Sequence, residues 1–301
     1  MSGNSLSEIL SPATLARIDN YQILAKVVVE GFIAGMHRSV YHGFGSEFLQ
    51  YRNYTSGDDL KYVDWKVFAR RDRFYTKVFE EETNMNCTVV LDASASMGYQ
   101  GERAACSKFH YGAMVAACLV YLASRQGDNI GLHCYSDTLR CGIPAGHRGG
   151  QLHRILAELQ RVQPAGQSRH AAFLPYVAES LRRRGIVVFI SDFLEAEDAI
   201  GPLLKRFRFA GNECIVVHVL DPDEQDLPFQ NTTRFVDSES AAQIVTSPAT
   251  VRAEYIAAMD AFQQRLRQLC LDMQSDYLAC STAANIGTTL AAYLHRRGSV
   301  F

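Results

Sequence analysis

The sequence lacks the cysteine patterns of metal-binding and redox proteins. It contains no Cys-x-x-Cys pair, and its eight cysteines are spread along the chain at positions 87, 106, 118, 134, 141, 214, 270 and 280. Zinc sites and redox pairs need closely spaced cysteines, so we expect neither. Most of these residues are interpreted as small buried hydrophobic side chains. Separate thiols in this number favour a reducing compartment, and we expect a cytoplasmic protein.

Long hydrophobic runs are also missing. The longest run, Ala113 to Ala123, is about half of the roughly 20 residues that a membrane-spanning helix needs. The N-terminal segment MSGNSLSEILSP has no basic region followed by an apolar stretch, so it does not resemble a signal peptide. We therefore expect no membrane span in this chain.

The charge has no dominant sign. Lysine and arginine total 30, aspartate and glutamate total 32, and the formal net charge is -2. Such a chain has no overall basic field to hold a phosphate backbone, so nucleic acid is not expected as a partner. Two catalytic signatures are absent as well: the Gly-x-Ser-x-Gly turn of serine hydrolases and the Gly-x-x-x-x-Gly-Lys phosphate loop.

What the sequence does contain is enough apolar residue for a folded core. Hydrophobic residues make up 48% and charged residues 21% of 301 positions, which excludes an intrinsically disordered chain. At this length a single core is close to its upper size, so we expect one large domain with an appendage. We place the boundary so that residues 1–82 form the appendage and residues 83–301 form the domain.

The appendage begins with a helix and continues with a charged segment. Ser11 and Pro12 form a typical helix start, and apolar residues then recur at helical spacing, which predicts a helix over 12–35. The glycine-rich stretch 37–48 is predicted as a loop. Residues 52–82 carry seven basic and seven acidic residues around Trp65. This balance suits a lattice of ion pairs or a solvated hairpin, and residues 73–79 alternate like a strand.

From residue 87 the pattern alternates between strand and helix. Short β-branched runs predict strands at 88–91, 130–135, 186–190 and 214–220, and helices are predicted at 107–125, 151–162, 171–184 and 195–209. This alternation indicates an α/β fold with a doubly wound, mostly parallel sheet. The run 139–143 follows its neighbour too closely for a crossover helix, so it should pair antiparallel at an edge. A hairpin over 234–245, a helix near 250–274, a strand at 277–280 and a helix at 284–297 complete the pattern.

Hydroxyl and carboxylate side chains follow two of the predicted strands. Asp92, Ser94 and Ser96 come directly after the first strand of the sheet, and Asp192 follows the strand 186–190. In open α/β sheets, functional groups gather beyond the carboxyl ends of the strands. Oxygen donors of this kind are the ligands that Mg²⁺ prefers. The two serines could equally be helix N-caps, and the spacing alone leaves both interpretations open.

The Asp-x-Ser-x-Ser sequence after a hydrophobic strand resembles the metal-ion-dependent adhesion site of von Willebrand factor A domains. The resemblance implies a Rossmann-type, von Willebrand A-like fold and a metal site completed by a second loop and a third loop. Asp192 matches the third-loop aspartate, and Ser168 stands where the family usually has threonine. The implied ligands are Asp92, Ser94, Ser96, Ser168 and Asp192. Because Arg169 adjoins Ser168, we expect Mg²⁺, or Mn²⁺ or Ca²⁺ in its place, to bind weakly.

The N-terminal part resembles the bacterial domain of unknown function 58 family. The motifs that carry this resemblance are GMHRS (35–39), GFGSEF (43–48), RNY (52–54), GDDLKYVDW (57–65), AR (69–70) and FEEE (79–82). In that family the signature leads into a von Willebrand A-like domain, as it does here. The resemblance implies a partnership with a MoxR-type AAA+ ATPase in the assembly or activation of other proteins.

These inferences predict a non-enzymatic adaptor whose metal ion binds an acidic residue of a client protein. Two alternatives stay open: a structural scaffold with a vestigial metal site, and a Mg²⁺-dependent phosphoryl-transfer enzyme. Enzymes of the latter type that resemble haloacid dehalogenases need a second carboxylate where this chain has Ser94. No catalytic residue is predicted. The nine scattered histidines are interpreted as ordinary core or surface residues, and Asp58, Asp59 and Asp64 as structural partners of nearby cations.

Overall fold

The β-branched runs of the sequence lie side by side in one sheet of a computed structural model of the protein. The structure describes residues 12–18, 20–36, 48–53, 67–68, 74–79, 85–181, 183–194, 197–287 and 290. The chain divides into two units, one formed by residues 1–39 together with 85–301 and the other by residues 40–84. Each unit is described by itself.

The first unit contains a six-stranded sheet. In chain order its strands are β3 (Asn86–Asp92), β4 (Asn129–Tyr135), β5 (Leu139–Gly146), β6 (Gly185–Ser191), β7 (Glu213–Leu220) and β10 (Asp276–Ser281), with β8 (Thr233–Val236) and β9 (Gln243–Thr246) forming a separate hairpin. The order across the sheet is β10-β7-β6-β3-β4-β5. All neighbours pair in parallel except β4 with β5, which are antiparallel. The predicted α/β fold with a mostly parallel sheet and an antiparallel edge strand is confirmed.

Helices cover both faces of this sheet. They are α1 (Pro12–Leu15), α2 (Tyr21–Met36), α3 (Lys108–Arg125), α4 (Gln151–Arg161), α5 (His170–Ser180), α6 (Glu197–Phe209), α7 (Pro222–Asp226) and α8 (Pro248–Asp272). Side chains on β3 alternate between two apolar layers: Val89 and Leu91 pack with α2, α3 and α4, whereas Val90 packs with α5, α6 and α8. This period of two places residues on opposite faces of the sheet.

The single helix predicted over 12–35 is two helices. Asn20 provides the reason, because its side-chain Oδ1 accepts from the backbone N–H groups of Gln22 at 2.8 Å and Ile23 at 3.3 Å. An asparagine in this role satisfies amides that would otherwise lack partners and starts a new helix. The hydroxyl of Tyr21, on α2, then bonds Nδ1 of His110 on α3 at 3.1 Å.

The second unit contains an antiparallel hairpin of β1 (Phe48–Asn53) and β2 (Tyr75–Phe79). The strand predicted at 73–79 is therefore present from Tyr75, while Phe48, predicted as loop, begins β1. The pairing runs from Phe48 opposite Phe79 to Asn53 opposite Tyr75. The charged positions Asp58, Asp59 and Asp64, and Trp65 with them, lie outside the described residues.

The C-terminal part follows the predicted order of elements. The hairpin predicted over 234–245 is β8 with β9, the long helix is α8, and the last strand is β10. Helical positions appear at 286, 287 and 290, and the rest of the helix predicted at 284–297 lies outside the described residues. Within the described ranges, no helix is both long and apolar enough to cross a membrane.

Candidate functional site

Asp92 ends the central strand β3 and is completely buried. Its Oδ1 accepts from the backbone N–H of Ser94 at 2.9 Å, and its Oδ2 accepts from the hydroxyls of Ser168 at 3.1 Å and Ser191 at 2.7 Å. Burial raises the pKa of this carboxyl, and the negative charge of Asp192 raises it further. Asp92 therefore fixes the hydroxyl of Ser168, from a loop, and that of Ser191, at the end of β6, and it favours a positive charge nearby.

Ser94 and Ser96 lie in the turn that follows β3. Their hydroxyl oxygens are 3.0 Å apart, and Ser96 helps to hold the pKa of Asp192 below its usual value. The helix that follows, α3, is capped instead by Ser107, whose Oγ accepts from the N–H of His110 at 3.2 Å. The two serines thus face the carboxylates at the end of the sheet, and helix capping does not account for them.

Ser168 is brought to Asp92 by a loop that lies along the turn after β3. The N–H of Ala95 donates to the carbonyl of Gly166 at 2.8 Å, and the N–H of Ala165 donates to the carbonyl of Ala93 at 2.8 Å. Gly166 has a φ of +82°, and a Cβ at this position would meet Asp137 Oδ1 at 2.6 Å. The loop therefore requires glycine at this position.

His170 contacts the hydroxyl of Ser168 and lies close to Asp92. Its Nε2 lies 2.9 Å from the Ser168 hydroxyl and 3.7 Å from Asp92 Oδ2, and its Nδ1 lies 2.6 Å from the hydroxyl of Tyr135. Since the proton of Ser168 goes to Asp92, we assign the imidazole proton to Nε2, which donates to Ser168, while Nδ1 accepts from Tyr135. Ser168 then keeps one lone pair for a further ligand. The interpretation of His170 as an ordinary core residue missed this contact.

A lysine completes the charge arrangement. Lys108, in the first turn of α3, is completely buried, and its Nζ lies 2.8 Å from Asp192 Oδ2 and 2.6 Å from Glu224 Oε1. Burial alone would lower the pKa of Lys108, but the two carboxylates outweigh burial and raise it. Burial would likewise raise the pKa of Asp192, yet Lys108 and Ser96 hold it below its usual value. Burial raises the pKa of Glu224 as well, and Lys108 opposes that shift. Lys108 and Asp192 are therefore held in their charged forms.

Sequence reasoning missed Lys108 and Glu224, although one signal was available. A cation in the first turn of a helix opposes the helix dipole, and the remainder of α3 is almost entirely apolar. Such a lysine needs a compensating anion, and the anions are Asp192, directly after β6, and Glu224, on α7. The residue that follows β7 also fixes the loop before α3, because the carboxylate of Asp221 accepts from the N–H of Gly101 at 2.9 Å.

The five sequence-predicted residues lie at the carboxyl edge of β3 and β6, and their side chains offer oxygen atoms of the kind that Mg²⁺ prefers. In octahedral Mg²⁺ sites neighbouring ligand oxygens are about 3.0 Å apart, since the Mg–O bonds are about 2.1 Å long. The hydroxyl oxygens of Ser94 and Ser96 are 3.0 Å apart. Arg169 is exposed to solvent, so water screens its charge from the site.

Carboxyl groups outnumber cationic groups around the hydroxyls. Asp92 binds Ser168, Glu239 accepts from the N–H of Ser168, and Asp192 and Glu224 share the single ammonium of Lys108. Across the described ranges, no group of three or more His, Cys, Asp or Glu side chains could hold a metal ion. A metal ion at this site would therefore need hydroxyl oxygens among its ligands. The candidate ligands are thus the hydroxyls of Ser94, Ser96 and Ser168, held in place by two aspartates.

Comparisons with known proteins give relatives in mycobacteria. The uncharacterized protein Rv1480 of Mycobacterium tuberculosis is 28% identical over 238 residues, covering 77% of this chain and 73% of the relative. The uncharacterized protein Mb1516 of Mycobacterium bovis matches with the same figures.

Solved structures with similar chains include the conserved hypothetical protein BatB from Bacteroides thetaiotaomicron. It is 15% identical, with a TM-score of 0.46 over 71% of this chain and 99% of that chain. The SpRpn10 VWA domain is 10% identical, with a TM-score of 0.42 over 69% of this chain and 94% of that chain.

One family model matches the sequence directly. It is described as "Protein of unknown function DUF58", and it matches residues 50–265. The match includes most of the hairpin of β1 and β2, the five sequence-predicted site residues and most of α8. Since the match extends over more than half of the sequence, the chain belongs to the DUF58 family.

Proposed function

We propose that the protein is a non-enzymatic adaptor that binds an acidic partner protein through a metal ion. The observation that carries this proposal is the buried carboxylate of Asp92, which binds the Ser168 hydroxyl and the Ser94 amide, with the Ser96 hydroxyl 3.0 Å from that of Ser94. The hydroxyls would hold the ion, and Asp92 and Asp192 would orient them and balance its charge. A bound Mg²⁺ or Mn²⁺ would supply an open coordination position for a carboxylate oxygen of the partner.

The hydrogen bonds around Ser168 favour binding over catalysis. A serine nucleophile needs a base that can take its proton. Here the Ser168 hydroxyl donates to Asp92 at 3.1 Å, and the adjoining His170 nitrogen carries a proton of its own. Ser168 therefore has an oriented lone pair but no imidazole base. A phosphoryl-transfer enzyme of the dehalogenase type is disfavoured by Ser94, which stands where that chemistry needs a carboxylic acid.

The identity of the partner is part of the same proposal. The resemblance to the family suggests a MoxR-type AAA+ ATPase, with the adaptor linking it to a client that presents an aspartate or glutamate. The adaptor would then hydrolyse nothing itself, and ATP hydrolysis would belong to the ATPase. A cytoplasmic location would be consistent with such a partner.

The test begins with the metal alone. We expect Mn²⁺ to bind wild-type protein at one site, measured by electron paramagnetic resonance and calorimetry, and Asp92→Ala to abolish that binding. Asp260→Ala removes an exposed aspartate on α8 and should bind Mn²⁺ normally. Absence of Mn²⁺ binding to wild type would support the vestigial scaffold instead, and phosphate release by the pure protein would support the enzyme.

The second step tests the partner. Immobilised wild-type protein should retain the MoxR-type ATPase encoded in the same genome, together with client, in Mg²⁺. The client should be lost in EDTA and with Asp92→Ala. Retention of every component in EDTA and by the variant would contradict the metal-dependent adaptor.

A further inference from the structure

A carboxylate outside the predicted ligand set reaches the mouth of the site. Glu239 lies in the turn between β8 and β9, and its Oε2 accepts from the backbone N–H of Ser168 at 2.9 Å. The two residues are 71 positions apart in the chain. This contact therefore brings a negative group from a separate hairpin to the residue whose hydroxyl is a candidate metal ligand.

The turn that carries Glu239 is held in shape by its own hydrogen bonds. The carboxylate of Asp237 accepts from the N–H of Glu239 at 2.9 Å and from the hydroxyl of Ser240. The N–H of Asp237 donates to the carbonyl of Ala242 at 2.8 Å, and the N–H of Ala241 donates to the carbonyl of Asp237 at 2.9 Å. The turn can thus keep its conformation without the contact to Ser168.

The strands on either side of this turn are weakly anchored by apolar packing. Val236 is 49% exposed, Ile244 is 67% exposed and Val245 is 65% exposed. The ring of Phe235, on β8, meets that of Phe229 edge to face, with centroids 5.7 Å apart. Because so little apolar surface is buried, no large hydrophobic term opposes a displacement of the turn from Ser168.

We propose that Glu239 is an internal acidic ligand that covers the site and that the carboxylate of a partner displaces it. This inference rests on the proposed function, because it assumes that an acidic partner approaches the hydroxyls of Ser94, Ser96 and Ser168. The backbone N–H of Ser168 already binds a carboxylate in this structure. A second carboxylate at the same mouth competes for that donor and is repelled by the charge of Glu239.

The hairpin of β8 and β9 then controls the exchange of partners, because it carries Glu239. While Glu239 accepts from the N–H of Ser168, other acidic groups are kept from the site, and the hairpin stays next to it. When a partner carboxylate enters, the Glu239 contact breaks and the hairpin moves as a unit about its base. Glu239→Gln keeps the size of the side chain but removes its charge. It therefore weakens the contact with the N–H of Ser168 without leaving a cavity.

The experiment uses full-length protein loaded with Mn²⁺ and acetate as the carboxylate probe. Acetate binding to the loaded site displaces metal-bound water, which is followed by water proton relaxation. We expect Glu239→Gln to bind acetate at least fivefold more tightly than wild type, with an Mn²⁺ affinity within threefold of wild type. Glu254→Gln removes an exposed glutamate on α8 and should match wild type in both measurements.

Hydrogen exchange provides a second measurement on the same proteins. Amides of residues 233–246 should exchange faster in Glu239→Gln than in wild type and Glu254→Gln, because the contact to Ser168 is weaker. Equal acetate affinity and equal exchange in all three Mn²⁺-loaded proteins would overturn the internal ligand and leave the proposed function intact. Failure of Mn²⁺ to bind wild type and Glu239→Gln would overturn both.

Discussion

The ammonium of Lys108 lies 2.8 Å from Oδ2 of Asp192, and both side chains are buried. Glu224 accepts from the same ammonium at 2.6 Å on its other side. Lys108 thus binds one oxygen of Asp192, and both Lys108 and Ser96 lower the pKa of this carboxyl. The lysine is therefore a positioning residue for Asp192 and a fixed positive charge beside the candidate metal site.

Replacement of Lys108 by methionine should strongly destabilise the protein. Methionine fills a similar volume but leaves Asp192 and Glu224 buried without their cation. Removing one partner of a buried ion pair costs about 3–5 kcal/mol. Urea unfolding should show a loss of this size for Lys108→Met and almost none for Lys205→Met, which alters an exposed lysine on α6.

A combined variant separates lost charge from lost packing. Because Glu224→Gln removes one of the two stranded carboxylates, Lys108→Met with Glu224→Gln should be more stable than Lys108→Met alone. If the double variant is as unstable as the sum of the two single changes, the lysine contributes through packing and the electrostatic account is wrong.

His170→Phe should weaken metal binding without removing any candidate ligand. Phenylalanine preserves the ring volume but cannot donate to Ser168 or accept from Tyr135, so the Ser168 hydroxyl loses its orientation. Loss of a group that orients a metal ligand typically lowers metal affinity about 10–100-fold. Mn²⁺ titration should show this decrease for His170→Phe, whereas His153→Phe, at an exposed position on α4, should keep wild-type affinity.

The sequence predicted much of the sheet and the approach of Asp92 to Asp192 for one physical reason. Parallel strands end at a common edge, so polar residues that directly follow two such strands must come close together. Lys108 and Glu239 could not be placed in this way. Each reaches the site from an element whose position depends on tertiary packing: Lys108 from the start of a buried helix, and Glu239 from a hairpin 71 residues beyond Ser168.

The prediction of a single helix over 12–35 was wrong because of a local capping signal. The apolar spacing over 12–35 continues across residue 20, and periodicity alone therefore predicts one helix. The side chain of Asn20 instead binds two amides and starts a second helix. Capping competes with propagation over a few residues, and a hydrophobic pattern averaged over many residues does not detect it.

Gly131→Ala should loosen the antiparallel edge of the sheet. A Cβ at position 131, on β4, would lie 2.8 Å from the backbone nitrogen of Ala145 and 3.0 Å from the carbonyl oxygen of Ile143, both on β5. Backbone atoms cannot rotate away as a side chain does, so the strands must separate, at a cost of about 1–3 kcal/mol. Thermal unfolding should detect this loss, and Gly149→Ala, with nothing within 4 Å, should not show it.

The buried imidazole of His218 should make the protein less stable in mild acid. Burial lowers its pKa from 6.5 to about 4, although Asp192 opposes this shift. Its Nδ1 lies 2.8 Å from the hydroxyl of Tyr277, and its ring meets that of Phe262 edge to face. Below pH 6.5 the unfolded chain binds a proton that the folded chain does not, so acidification favours unfolding until the folded-state pKa is reached.

The size of this effect can be isolated with one substitution. Between about pH 7.5 and pH 5, a single group with this shift contributes a loss of about 2 kcal/mol. His218→Gln retains a polar group near Tyr277 but does not titrate, so its unfolding free energy should fall by about 2 kcal/mol less than that of wild type over this range. Urea unfolding at both pH values measures the difference, and His153→Gln, at an exposed position, should behave like wild type. Identical pH dependence in His218→Gln and wild type would mean that folding leaves the pKa of His218 unchanged.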